Sequence, residues 1–333
     1  MRIGLAGVGR IGAFHADTLR QLAEVDSLVV ADADRARAQQ VAEKLGVSAV
    51  EDAEALLRAG LDGLVIAAAT DAHAPLILAA VDAGLPVFCE KPVANDLAGT
   101  LAVVERVAGS DVPVQIGFQR RFDAGYTAAR EALAAGRLGW LHTVRAGTLD
   151  PAPPPQEYVA ASGGLFRDML VHDFDAIRWV TGREVVEVYA AGGNRGAAYF
   201  AAAGDVDTAA ALLTLDDGTL AQVSGTRYNA AGYDVRLELL GSAESISVGL
   251  DDRLPLRSAE PGVSFPAGPA YPNFMERFRS AYARELAVFA EVVAGRAACP
   301  CSVADALAAF RVAEACEASR RERRPVRVEE VAR

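Results

Sequence analysis

Three short stretches of the chain carry residues whose types and spacing can do chemistry. The first is LPVFCEKPVAND, Leu85 to Asp96, an apolar run of the kind that ends a buried strand. It sets Glu90 and Lys91 side by side and stops at Pro92, which fixes the backbone just past the strand. Strand ends in an open α/β sheet face the ligand crevice. A lysine there can hydrogen-bond a hydroxyl, and its charge favours an alkoxide that forms as hydride leaves carbon. The second is Asp168 and His172, four apart in a helical pattern and therefore on one face. One Asp and one His lack the further ligands zinc needs, so no metal is expected.

The third stretch is GVGRIG, Gly7 to Gly12, which follows a strand pattern and opens a helix. Gly7 permits a tight turn, Gly9 lets backbone approach a diphosphate, and Gly12 allows close helix packing. The diphosphate would rest on the free N–H groups of the helix start, around Arg10 and Ile11. About twenty residues on, the next strand ends at Asp32, placed to accept hydrogen bonds from the adenosine ribose. Its charge repels a 2′-phosphate, so the expected cofactor is NAD rather than NADP. Arg35 and Arg37 stand close enough to soften that repulsion.

Positioning these residues takes a particular set of elements. Up to Phe118 the chain alternates strand and helix patterns: RIGLAGV, SLVVAD, GLVIAAAT, LPVFCE and VPVQIGF, with helical stretches between them. Continuous apolar strands alternating with helices indicate a parallel sheet covered on both faces. After residue 118 the style changes. A helix near Tyr126–Ala135 leads to the strand LHTVRAGTL, a proline-rich loop DPAPPPQEY, and a helix within GGLFRDMLVHDFDAIRWVTG. Val185 to about Leu250 reads as consecutive strands, with hairpins at Asp217–Gly218 and Gly241–Ser242. Two helices, within 274–294 and 303–321, finish it. The expected architecture is α/β: a Rossmann domain over 1–118, then an α+β domain over 119–333 with a large, open, mostly antiparallel sheet. An open sheet face needs a partner, and self-association supplies one.

The segments GVGRIGAFHADTL, ATDAHAPLILAAVDAGLPVFCEKP, GFQRRFD and SGGLFRDMLVHDFDAIRWVTG together resemble the glucose-fructose oxidoreductase / inositol dehydrogenase (Gfo/Idh/MocA) family over essentially the whole length. The last two, with DPAPPPQEYVAASGG, look most like its inositol 2-dehydrogenase branch. The resemblance implies an NAD-dependent dehydrogenase oxidising a secondary hydroxyl of a cyclic polyol, best matched by myo-inositol, and a dimer or tetramer. It implies that Lys91 meets the substrate hydroxyl, that His172 takes the hydroxyl proton, and that Asp168 binds substrate or orients the histidine. Glu90 is expected to hold the lysine or to contact the cofactor. The resemblance also implies that Thr70 and His73 shape the cofactor site, and that one of Arg120 and Arg121 reaches the substrate. As adjacent strand residues, those two should point opposite ways, and Arg121 is the one assigned. Tyr233, contributed by the large sheet, is expected as a further substrate contact. Asp173 and Asp175 read as helix surface or interdomain residues, and His15 and His142 as structural. Dehydrogenases or reductases of other sugars share the pattern, as do glycosidases that use NAD transiently. A non-catalytic NAD-sensing protein on this fold should lack Lys91, Asp168 or His172, and all three are present.

Composition narrows the partners. The chain of 333 residues is 52% hydrophobic and 23% charged, with a formal net charge of −11. Such a field repels nucleic acid and anionic membranes. The basic run SRRERRPVR, Ser319 to Arg327, suits the negative end of a helix dipole. Four cysteines without a CxxC pair fit a reducing cytosol. No secretory signal pattern opens the chain, and no apolar run reaches the roughly 18 residues of a membrane span.

Overall fold

Six short runs in the first part of the chain pair as a parallel sheet: β1 (Arg2–Ala6), β2 (Ser27–Ala31), β3 (Ser48–Ala49), β4 (Gly63–Ile66), β5 (Val87–Glu90) and β6 (Val114–Gly117). Their order is β3-β2-β1-β4-β5-β6. Chain direction across the sheet reverses between β1 and β4, the position at which open α/β sheets bind their ligands. Ile3, Leu5, Val30, Val65 and Phe88 are fully buried, as strands covered on both faces require. The computed structural model describes residues 1–331 apart from Ala267. Among them, no helix is long and apolar enough to cross a membrane.

Two compact units make up the chain. The first holds Met1–Gln119 and Ser280–Leu307, the second Arg120–Arg279 and Ala308–Arg333. The sequence pattern alone puts everything after residue 118 in one following domain. The chain instead returns: Leu286 and Phe289, from the helix Arg279–Val293, enter the same core as Leu5, Val65 and Phe88. The Gln115 amide donates to the Glu285 carbonyl at 3.2 Å, and the Ile116 N–H to that of Cys301 at 2.9 Å. The segment around Cys301 thereby covers the outer edge of β6, which would otherwise be an unpaired strand edge.

The second unit is built on β7 (Leu141–Leu149), β8 (Val185–Gly193), β9 (Thr208–Leu215), β10 (Leu220–Thr226), β11 (Asp234–Gly241), β12 (Ser245–Val248) and β13 (Val326–Arg327). Their order is β12-β11-β7-β10-β9-β8-β13. Only β7 and β10 run parallel; every other neighbouring pair is antiparallel. Alternate residues such as Val144, Leu213, Val223 and Leu237 are buried. Helical segments cover that face, with Leu170 pressed on Gly225 so closely that a Cβ there would lie 2.7 Å from it. The opposite face is open. One row crosses it in register, Glu238–Arg145–Gln222–Leu212–Tyr189, all exposed or half-buried.

Two short helices interrupt stretches that read from sequence as loop and strand. Gln156–Ala161 follows the three prolines, with Pro155 just before its first turn, a position where a missing N–H costs nothing. Tyr199–Ala202, between β8 and β9, is too short to leave a periodic trace.

Candidate active site

In the first unit the glycine-rich turn closes as its spacing predicts. Gly7 adopts φ +90°, and a Cβ there would lie 2.4 Å from the Ala68 Cα. At Gly12 a Cβ would come within 2.0 Å of the Gly7 carbonyl oxygen. Gly9 is different: the nearest atom to such a Cβ is Arg37 Nη1 at 3.9 Å, so its backbone faces open space. The helix Arg10–Gln21 has no side-chain cap and no acid in its first turn, whereas Asp34, Asp52 and Asp96 cap the helices that follow β2, β3 and β5. An uncapped start beside an open glycine fits a diphosphate.

Asp32 lies past the end of β2, where its carboxylate accepts from the Val8 and Asp34 N–H groups, both at 2.8 Å. A carboxylate has about four acceptor positions, so capacity remains for a ribose hydroxyl. Arg37 reaches within 3.7 Å of it, and the more exposed Arg35 turns to Glu51. Arg10 is exposed, Ile11 is half-buried, and Thr70 begins the helix Thr70–Asp82.

Lys91 is half-buried and is the first residue beyond β5. Glu90 faces the fully buried His15, with Oε1 2.6 Å from Nε2. His73 sets Nδ1 2.7 Å from the Pro92 carbonyl oxygen and Nε2 3.1 Å from that of Ala68. Both of its ring nitrogens thus face the chain's own carbonyls. Burial, aided by the Glu90 charge, holds the Cys89 thiol well above its ordinary range and leaves it inert.

The second unit carries the other constellation. Gly163 and Gly164 adopt φ +80° and +97°, and the Leu165 N–H donates to Asp205 at 2.9 Å. The helix then opens with a π-helical turn, Phe166–Leu170, before continuing as Val171–Thr181. Asp168 sits inside that wider turn and His172 just after it, so the regular α-helical face expected from their spacing is replaced by an i→i+5 turn. Such bulges frequently mark functional sites. Both residues are half-buried.

Sequence reasoning missed what holds Asp168. Arg227, just past β10 and nearly buried, donates through Nη2 to Asp168 Oδ2 at 2.5 Å and through Nη1 to Asp150 Oδ2 at 2.8 Å. The Tyr158 hydroxyl donates to the other Asp168 oxygen at 2.7 Å. Burial opposes the charge on Arg227, but the Asp168 and Asp150 carboxylates outweigh it and raise its pKa above the ordinary range. No periodicity links residues 150, 158, 168 and 227, and only the pairing of β7 with β10 brings the ends of those strands together.

Other expectations change. Arg120 and Arg121 lie in a 3₁₀ turn, not a strand, and both point inward. Arg120 donates to Asp173 Oδ1 and to the Thr148 hydroxyl, each at 2.7 Å, and Arg121 donates to both oxygens of Asp175. Asp173 and Asp175 are therefore buried ion-pair partners rather than surface residues, because charges this deep must be paired. Burial pushes the Asp173 carboxyl up, with Arg120 and Thr148 opposing. Tyr233 is 5% exposed beside this cluster, and burial raises its hydroxyl pKa far above the ordinary value.

A parallel sheet with a glycine-rich turn, an uncapped helix and a strand-end acid at its reversal point defines a dinucleotide-binding protein. Residues 1–118 match the oxidoreductase family with an NAD-binding Rossmann fold, and residues 126–247 match the GFO/IDH/MocA C-terminal domain. The chain belongs to the Gfo/Idh/MocA family and is an NAD-dependent dehydrogenase. It is 38% identical over 322 residues to a myo-inositol dehydrogenase of Streptomyces leeuwenhoekii, covering 96% of this chain and 97% of that one. It is 36% identical over 335 residues to the myo-inositol 2-dehydrogenase of Thermotoga maritima, covering 99% of each. The structure of a Lactobacillus casei scyllo-inositol dehydrogenase with NAD(H) and scyllo-inositol superposes with a TM-score of 0.88 at 28% identity, covering 99% of both chains.

Proposed function

We propose that the protein oxidises a secondary hydroxyl of a cyclic polyol, converting myo-inositol to 2-keto-inositol. The near full-length likeness to inositol dehydrogenases carries this reading, and the chain has Lys91, Asp168 and His172 available for the chemistry. NAD⁺, when bound, supplies the hydride acceptor. The remaining work falls to the chain. Lys91 donates to the reacting hydroxyl and stabilises negative charge on its oxygen. His172 takes the proton as general base. Asp168, both of whose oxygens already accept from Arg227 and Tyr158, serves as a fixed anion that orients the imidazole or accepts from a neighbouring hydroxyl. Arg121, held by Asp175, and the buried Tyr233 complete the proposed set of substrate-side residues. A screen of inositols and common sugars for NADH production tests the reading: inositols should lead, and silence with every inositol would overturn it.

Asp32 sets the cofactor preference. Asp32→Ser should raise the KM for NAD and narrow the gap to NADP, with Arg37 left to meet a 2′-phosphate. Steady-state kinetics with both cofactors check this, and a wild type that works better with NADP contradicts it.

The open sheet face supports a homotetramer. Tyr189, Leu212 and Leu220 are 47%, 44% and 45% exposed there, beside the charged Arg145 and Glu238. Light scattering at micromolar concentration should give an oligomer that Leu212→Glu weakens, and a monomer mass for the wild type would refute it. Four free cysteines, three of them buried, suit a cytosolic location.

A further inference from the structure

Lys91 stands where the sheet stops holding the chain. The last paired residues of β5 and β6 are Glu90 and Gly117, so the lysine is the first position beyond the ladder. A lysine also has a flexible four-carbon stem. Where the backbone on either side is held therefore bears directly on where its ammonium sits.

Two of the chain's four histidines provide such a hold. On the N-terminal side, His15 Nε2 lies 2.6 Å from Glu90 Oε1. His15 is fully buried, packed edge-on against Phe88 and Tyr282 with ring centroids 5.8 Å away in each case. Its Nδ1 has no hydrogen-bond partner among the described residues, so the ring proton belongs on Nε2, donated to Glu90. Gly117 leaves room for that carboxylate, since a Cβ there would lie 3.1 Å from Glu90 Oε2. On the C-terminal side, the Pro92 carbonyl accepts from His73 Nδ1 at 2.7 Å. A carbonyl can only accept, and this contact is shorter than the 3.1 Å one to Ala68, so the Nδ1 proton is placed here. His73 is 2% exposed, which keeps water from competing.

We propose that His15 and His73 are positioning residues for Lys91, His15 through the Glu90 carboxylate and His73 through the Pro92 carbonyl. The consequence for turnover rests on the reading that Lys91 acts on the substrate hydroxyl; the positioning itself does not. Misplacement by about 1 Å can cost on the order of 10²-fold in rate. Loss of either brace should therefore lower kcat roughly ten- to a hundred-fold.

The chain contains only two lysines, Lys44 and Lys91, so reductive ¹³C-methylation labels these and the α-amino group alone; Lys91→Arg assigns the Lys91 resonance, and Lys44 serves as internal control. Four variants are compared with the wild type. His15→Phe and His73→Leu remove the donor and keep bulk. His15→Gln and His73→Asn keep an amide N–H near the lost ring nitrogen, preserve the donor if the apolar variants fail to fold, and should restore most of the effect. In the apolar variants the dimethyl-Lys91 resonance should move toward that of Lys44 and sharpen, while Lys44 stays in place. The deuterium isotope effect on kcat should rise as the chemical step becomes limiting. An unchanged Lys91 resonance in folded His15→Phe and His73→Leu would overturn the proposal, even if activity fell. If the wild type oxidises no inositol, the functional reading fails, and the spectra still decide the positioning role.

Discussion

Lys91→Met should lower kcat by about 10²–10⁴-fold while NADH binding stays at the wild-type level. A polyol hydroxyl is a very weak acid, so its oxidation needs both a base and a positive charge near the developing alkoxide. Methionine keeps an unbranched apolar stem as far as the lysine Cε and removes the ammonium, and with it the charge and the donor. His172→Ala should lose a comparable factor by removing the base, since general acid–base catalysis typically contributes about 10²–10⁴-fold. Wild-type activity should rise with pH as the base loses its proton, and that limb should vanish in His172→Ala. Stopped-flow and steady-state kinetics over a pH series check both variants. Near wild-type turnover in either one gives the residue another job.

Arg227→Met should be the most destabilising single change at the site. Arg227 is 5% exposed and serves two carboxylates. Without it, Asp150 and Asp168 become neighbouring anions with no shared cation. Breaking a buried pair by removing one partner typically costs about 3–5 kcal/mol. Denaturant unfolding should show a loss of that order, and kcat should fall because Asp168 is no longer held. Arg227→Lys should recover part of the stability but little of the turnover, because an ammonium cannot span both carboxylates as the planar fork does. An unfolding midpoint unchanged by Arg227→Met would show that the pair carries no weight.

The parts of this protein legible from sequence are those governed by local rules. The glycine turn, the end of β5 at Glu90 and the hairpin at Gly218 each follow from backbone geometry within a few residues. What escaped depends on distant partners. The apolar face of Arg279–Val293 announces burial but not that Phe289 packs with Phe88. Asp173 and Asp175 look like helix surface until Arg120 and Arg121 are found against them. The Arg227 clamp needs β10 beside β7, a parallel pairing that no spacing encodes. The π turn at Asp168 is equally silent, because its residues read as an ordinary amphipathic helix.

Hydride transfer from an inositol carbon to NAD⁺ is tested most directly by incubating the protein with NAD⁺ and myo-inositol deuterated at C2, then following NADH by absorbance and mass. The predicted result is reduced cofactor carrying one deuterium, with 2-keto-inositol formed in equal amount and a slowed rate relative to the protiated substrate. No reduced cofactor, or reduced cofactor free of deuterium, would contradict it.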